Sequence, residues 1–232
     1  MIAGRFPVFW SRLDELVDGG SRLPAWLDDR QARSRATRER ILRVAESFVR
    51  RGSFDEMSMQ ELAEEAGVSV GAVYARFPSK ATVLELVGLV AFDAARAEFE
   101  GALAALPPGA GLGEVIDAYT STLVRALHEH ARVLREIRGN ASESSELRSL
   151  LRRTNGAIHE AFLGRARAIE GGIRHPDPEK ALLYGLFMVN AAAREAVLAG
   201  ALAPYGLEGD RAELAAELAR SFRRYLGIGE TG

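Results

Sequence analysis

The chain has 232 residues, of which 47% are hydrophobic and 27% charged, and it contains no cysteine. That balance is too apolar for a disordered chain, leaves room for one large domain or two modest ones, and rules out disulfides and cysteine-ligated metal. Its net charge of −2 argues by itself against a nucleic-acid partner, but residues 30–83 hold ten basic and seven acidic side chains, +3 in all, which leaves −5 for the remainder. Such asymmetry suits a DNA-facing part joined to a part that must not adhere to DNA.

Residues 1–33 read as an irregular extension. The first ten, with one arginine and Pro7, lack the continuous apolar core of a signal peptide. Residues 11–17 suit a short helix capped by Ser11. Phe6, Phe9, Trp10 and Trp26 are apolar enough to predict that they pack onto the body of the protein. No apolar run approaches the roughly 18–20 residues of a membrane span. Together these features predict a cytoplasmic protein with no membrane partner.

From there the periodicity is helical nearly throughout, with no convincing strand and no repeat. Residues 35–51 place Ile41, Leu42, Ala45, Phe48 and Val49 on one face and arginines on the other, and Gly52 is a natural left-handed stop. Ser58 with Glu61 three residues on is a capping box, opening a short helix that buries Leu62, Ala63 and Ala66. Gly67 ends it, and Ser69 caps a third helix over residues 70–76. Two short helices across a glycine-containing turn make a helix-turn-helix. Pro78 and Ser79 interrupt the chain before a long helix over 79–106, and residues 107–113 form a loop. Helices follow at 114–131, 133–139 and 145–170. Asp177-Pro178 starts another that runs to Gly200, and Asp210 caps the last, Arg211–Leu226.

Residues 38–87 resemble the TetR family. The resemblance is carried by Ile41-Leu42, Ala45, Phe48, Gly52, Leu62-Ala63, Ala66-Gly67-Val68-Ser69, Gly71, Val73-Tyr74, Phe77 and Ser79-Lys80, with Ser58 where the family usually has threonine. It implies an all-α protein. Residues 34–80 would be a three-helix DNA-binding domain, and 81–232 a helical ligand-binding and dimerisation domain. It further implies that the third helix enters the major groove, so that Val70, Gly71, Ala72 and Ala75 meet base edges. Tyr74, Lys80 and Ser58 match the family's phosphate contacts, and Arg76 at the far end of the reading helix suits phosphate as well. Ser69, DNA shape or an arm are left to supply sequence readout, because the other side chains there are small and apolar. Arg33, Arg35 and Arg38 suit either phosphate and minor groove or a solvated basic face. Val73 and Phe77 read as core.

For the body, the resemblance implies ligand sensing and dimerisation. Residues 181–189 are apolar nearly all round, more than a single chain can bury. Leu182, Leu186, Phe187, Val189 and Ala193, with Leu214, Leu218 and Phe222 of the last helix, are therefore expected in a four-helix contact across a two-fold axis. A homodimer of this kind requires near-palindromic double-stranded operator DNA. The pocket for a small, lipophilic effector is expected among Phe92, Phe99, Tyr119, Leu123, Leu127, Leu134, Ile137, Asn155, Ile158, His159 and Phe162; each taken singly reads first as plain core, and the polar Asn155, His159 and Tyr119 are the sharper candidates. No cofactor, metal or catalytic motif is expected. His128-Glu129-His130 is metal-like in composition, but its histidines point about 200° apart on a helix. The expected function is that of a repressor released by its effector, and the alternative is an adaptor whose helix-turn-helix binds protein.

Overall fold

In the computed structural model, residues 9–11, 32–139, 145–169, 171–207 and 209–228 are described, and every regular element among them is helical. The helices are α1 (Ala32–Arg51), α2 (Met59–Glu65), α3 (Val70–Tyr74), α4 (Lys80–Ala104), α5 (Leu112–Glu129), α6 (Ala131–Gly139), α7 (Ser145–Arg167), α8 (Pro178–Ala199) and α9 (Arg211–Leu226), with a 3₁₀ turn at Ala203–Tyr205. The chain divides into two compact units, one of Met1–Ala94 with Arg132–Thr154, the other of Ala95–Ala131 with Asn155–Gly232. This division differs from a simple cut after residue 80. The first half of α4 and most of α6 belong with α1, α2 and α3.

The first unit is built on the stripe of α1. Ile41, Leu42, Ala45 and Val49 are fully buried against Leu62, Ala63, Val73 and Phe77. Gly52, at φ +75, reverses the chain so that Ser53 N–H donates to the Phe48 carbonyl at 3.0 Å. Phe9 and Trp10 are buried in the core of this body, their rings edge to face with each other at 5.0 Å, and the Trp10 indole N–H donates to Glu39 at 3.0 Å. Phe6, Trp26 and most of residues 11–17 lie outside the described residues.

In the second unit α5, α8 and α9 pack against one another. The sequence placed α5 at 114–131; it starts at Leu112 because Glu114 reaches back to the Gly111 N–H at 2.8 Å, and it ends where His130 turns out of helical geometry. Asp177 caps α8 by accepting from the Lys180 N–H at 3.1 Å. Within α8 an 18-residue window has a mean hydropathy of 1.3, long and apolar enough to cross a membrane, which corrects the expectation that no such stretch exists. Here its Ala181, Leu182, Leu186, Val189 and Ala193 are buried in the unit.

Two features fix the interior. A Cβ on Gly185 of α8 would lie 1.9 Å from the ring of Phe222 on α9, so the helices meet where only glycine fits. Tyr119 sits between Phe99 at 5.0 Å and Phe162 at 4.8 Å, and Phe162 continues the row to Phe222 at 5.8 Å. The Tyr119 hydroxyl is satisfied by Asn190, which donates to it at 2.9 Å and also donates to the Leu186 carbonyl at 2.8 Å. Burial pushes the tyrosine's pKa upward. His159 hydrogen-bonds the same Asn190, yet burial outweighs that bond and lowers its pKa.

Gly185→Ala should destabilise the protein by about 2 kcal/mol through overpacking against Phe222, as measured by urea denaturation. Adding Phe222→Leu should recover part of the loss, and an unaffected single variant would contradict the close contact. The His159 shift predicts a pH effect. The fold favours the neutral ring, so the unfolded chain takes up the proton first as pH falls. Stability should be complete above about pH 6.5, the unfolded value, and decline below it. His159→Gln should flatten the decline between pH 7 and 5; parallel wild-type and variant curves would refute it.

Candidate nucleic-acid interface

The interface is assembled by caps and a turn. The Ser58 hydroxyl accepts from the Glu61 N–H at 3.1 Å, while the Glu61 carboxylate accepts from the Ser58 N–H and hydroxyl, both at 2.8 Å. Those bonds hold the Glu61 carboxyl below the usual carboxylate range. Gly67, at φ +62, makes the turn, and Val68 N–H closes onto the Ala63 carbonyl at 3.0 Å. Ser69 then caps α3 by accepting from Ala72 N–H at 3.1 Å. With Val73 and Phe77 fully buried as core, α3 has one face left. Val70, Gly71, Tyr74 and Ala75 are exposed there, and Ala72 is half-buried.

The basic residues are placed unevenly around this face. Arg38 is buried, at 1% exposure, and is not available to DNA. The reason is helical phase: position 38 lies three and four residues before Ile41 and Leu42, on the inward side that Ser34 and Ala45 share. Arg35 is half-buried with its guanidinium 5.8 Å over the Trp10 ring. The side chain of Arg33 lies outside the described residues. Arg76 turns back on its own helix and donates to the Ala72 carbonyl at 2.9 Å. Lys80 donates to the Asp55 carbonyl at 2.7 Å, its ammonium 5.1 Å over the Phe54 ring. Ser58 and Ser69 are exposed, their hydroxyls occupied by the caps just described. Arg51, half over the Phe48 ring at 4.4 Å, ties α1 to α2 through Glu65 at 3.3 Å.

The residues proposed for an effector are divided by the fold. Phe92 and Ile137 pack against the core of the first unit, and Leu134 belongs to that unit as well. In the second unit Phe99, Tyr119, Leu123, Leu127, Ile158 and Phe162 are buried, while Asn155 and His159 are half-buried. Asn190, the polar hub between Tyr119 and His159, was not read from the sequence. Its signal is a lone amide four residues after Leu186 on the apolar face of α8. Three cavities among the described residues of this unit lie away from that set. One of about 200 Å³ is lined by His128, Val197, Leu202, Leu207 and Leu214. Another of about 460 Å³ is lined by Thr120, Val124, Arg125, Arg211 and Arg223, and a third of about 420 Å³ by Ala166, Ile169, Ile173 and Leu182.

Of the residues expected between subunits, Leu182, Leu186, Val189, Ala193, Leu218 and Phe222 are buried within the single chain, and Leu214 is half-buried. Phe187 is exposed, at 63%. The outward apolar face of α8 is Leu183, Tyr184, Phe187 and Met188, a stripe half a turn from the expected one.

Residues 41–87 match the family model of bacterial regulatory proteins of the tetR family. No curated protein matches the chain. A solved structure from Mesorhizobium loti, assigned to the TetR-family transcriptional regulators, is 22% identical with a TM-score of 0.64, covering 85% of this chain and 98% of its own. A TetR/AcrR-family transcriptional regulator from Thermobifida fusca is 21% identical with a TM-score of 0.60, over 80% and 96%. A fatty acid degradation regulator from Bacillus halodurans is 12% identical with a TM-score of 0.58, over 81% and 94%. These structures share the fold of this chain. The match covers the helix-turn-helix of α2 and α3, and the fold of the chain is that of these solved regulators.

Proposed function

We propose that this chain is a DNA-binding transcriptional regulator of the TetR family, a homodimeric repressor that binds a near-palindromic operator and leaves it when a small lipophilic effector binds the body. The observation that carries the DNA reading is α3, a capped helix with one exposed face of Val70, Gly71, Tyr74 and Ala75 next to a helix-turn-helix turn. The dimer reading draws on the exposed stripe of α8, since a patch of Leu183, Tyr184, Phe187 and Met188 in water marks an interaction surface. The effector reading draws on the apolar interior with a single polar cluster at Tyr119, Asn190 and His159. A protein that works on DNA in this way suits the cytoplasm. The adaptor reading has one observation in its favour: the exposed side chains of α3 include no group able to hydrogen-bond a base bidentately.

A gel shift of full-length protein on DNA flanking its own gene, repeated over a salt series, separates the two readings. DNA binding predicts that log K falls steeply with log salt, with a slope near −5 for about six phosphate contacts. Tyr74→Ala should weaken binding roughly tenfold on all fragments alike, the loss of one hydrogen bond to a charged group. If no fragment is retained at low salt, the repressor reading fails.

Phe187→Arg should convert the dimer to monomers in sedimentation and, by unlinking the half-sites, weaken operator binding by about a hundredfold or more. A variant that stays dimeric would move the interface off this stripe.

A further inference from the structure

Histidines 128 and 130 cannot share an ion across their own helix, but the fold brings a different partner to one of them. Glu98, on α4, meets Glu129 and His130 where α5 passes into α6, and one ligand atom from each of the three lies within 4.8 Å of the others. His130 is deeply buried, at 7% exposure, and its backbone N–H closes α5 on the Ala126 carbonyl at 3.0 Å. Glu98 is half-buried and Glu129 is exposed.

From this convergence we propose that Glu98, Glu129 and His130 form a site for a divalent transition-metal cation of the zinc type. The donor set is one imidazole nitrogen and two carboxylate oxygens. That mixture suits zinc and its neighbours, whereas magnesium and calcium take oxygen alone. Ligand atoms around a tetrahedral zinc lie roughly 3.4 Å apart. The exposed Glu129 side chain is free to rotate through the remaining distance once a cation draws it in. Two carboxylates match the charge of a divalent ion. The site also lies at the carboxyl end of the 18-residue α5, where the helix dipole favours positive charge. A competing cation is already present: Arg125 Nε stands 3.7 Å from Glu98 Oε2, on a half-exposed side chain that can swing away. A bound metal would tie the second half of α4 to the end of α5.

Zinc chloride titrated by calorimetry into chelator-treated full-length protein should show saturable binding at a single site per chain. Glu98→Gln and Glu129→Gln should each weaken it by at least about tenfold. Glu129 is exposed, so its replacement leaves the fold intact. His128→Gln, beside the site but outside it, should leave the affinity within about twofold. Arg125→Gln should tighten binding by removing the competing cation. Magnesium chloride should give no saturable heat. Absence of zinc binding would overturn the proposal. So would binding that survives Glu98→Gln and Glu129→Gln, which would assign it to histidines elsewhere.

Discussion

A helix of five residues does not hold its shape in water, since isolated helices shorter than about 12–15 residues are marginal even with good helix formers. Yet α3, Val70–Tyr74, is the element that, on the proposed function, must present a defined surface to DNA. Its geometry is therefore imposed from outside. Ser69 satisfies a first-turn N–H, Gly67 sets the entry angle, and Ala63 is small where α2 crosses. Val73 and Phe77 are fully buried in the core that α1 and α2 share. Anything that loosens that core loosens the reading surface with it. This explains why so much apolar surface surrounds so small a helix, and why the first half of α4 and the Phe9–Trp10 pair belong to the same compact unit.

What could be read from the sequence was whatever is decided locally. Ser58 with Glu61, Ser69, Asp177-Pro178 and Asp210 are caps whose partners lie two or three residues away, and each starts a helix where expected. Gly52, Gly67 and Gly200 stop helices because each takes a positive φ. What could not be read depends on which neighbour arrives from far along the chain. Arg38 looks like a surface charge in a run of arginines, and only the phase of α1 against its partners shows it turned inward. The apolar helix α8 offered two possible inner faces. Phe222 packing under Gly185 selects one of them and leaves Leu183, Tyr184, Phe187 and Met188 outward. Glu98 lies more than thirty residues from His130, so no local spacing rule could join them.

The interior of the second unit sets a condition on any effector that acts there. Phe99, Tyr119, Phe162 and Phe222 form a continuous row of rings at 4.8 to 5.8 Å, contact distances that leave no space between neighbours. A molecule entering this row must displace a ring, and one of these rings, Phe222, already touches Gly185 where α8 and α9 meet. Binding energy would then be spent on shifting helices, which is how a ligand changes the balance between two conformations.

On the proposed function, sequence discrimination on DNA follows from what α3 leaves exposed. Val70 offers methyl groups that suit the thymine methyl, Gly71 and Ala75 permit close approach, and Tyr74 carries a single hydroxyl. Arg76, the long polar side chain of this segment, is folded back onto the Ala72 carbonyl, and Arg38 is buried. A reading surface of this kind gains affinity from close fit to the groove and from phosphates more than from hydrogen bonds to base edges. Its preference between operators should therefore track groove width and thymine methyl positions. Replacing a contacted thymine by uracil, which removes one methyl and no hydrogen bond, should weaken binding about fourfold, or about 0.8 kcal/mol for one buried methyl-sized group. A cytosine-for-thymine exchange at a position outside methyl contact should matter only through its effect on DNA shape.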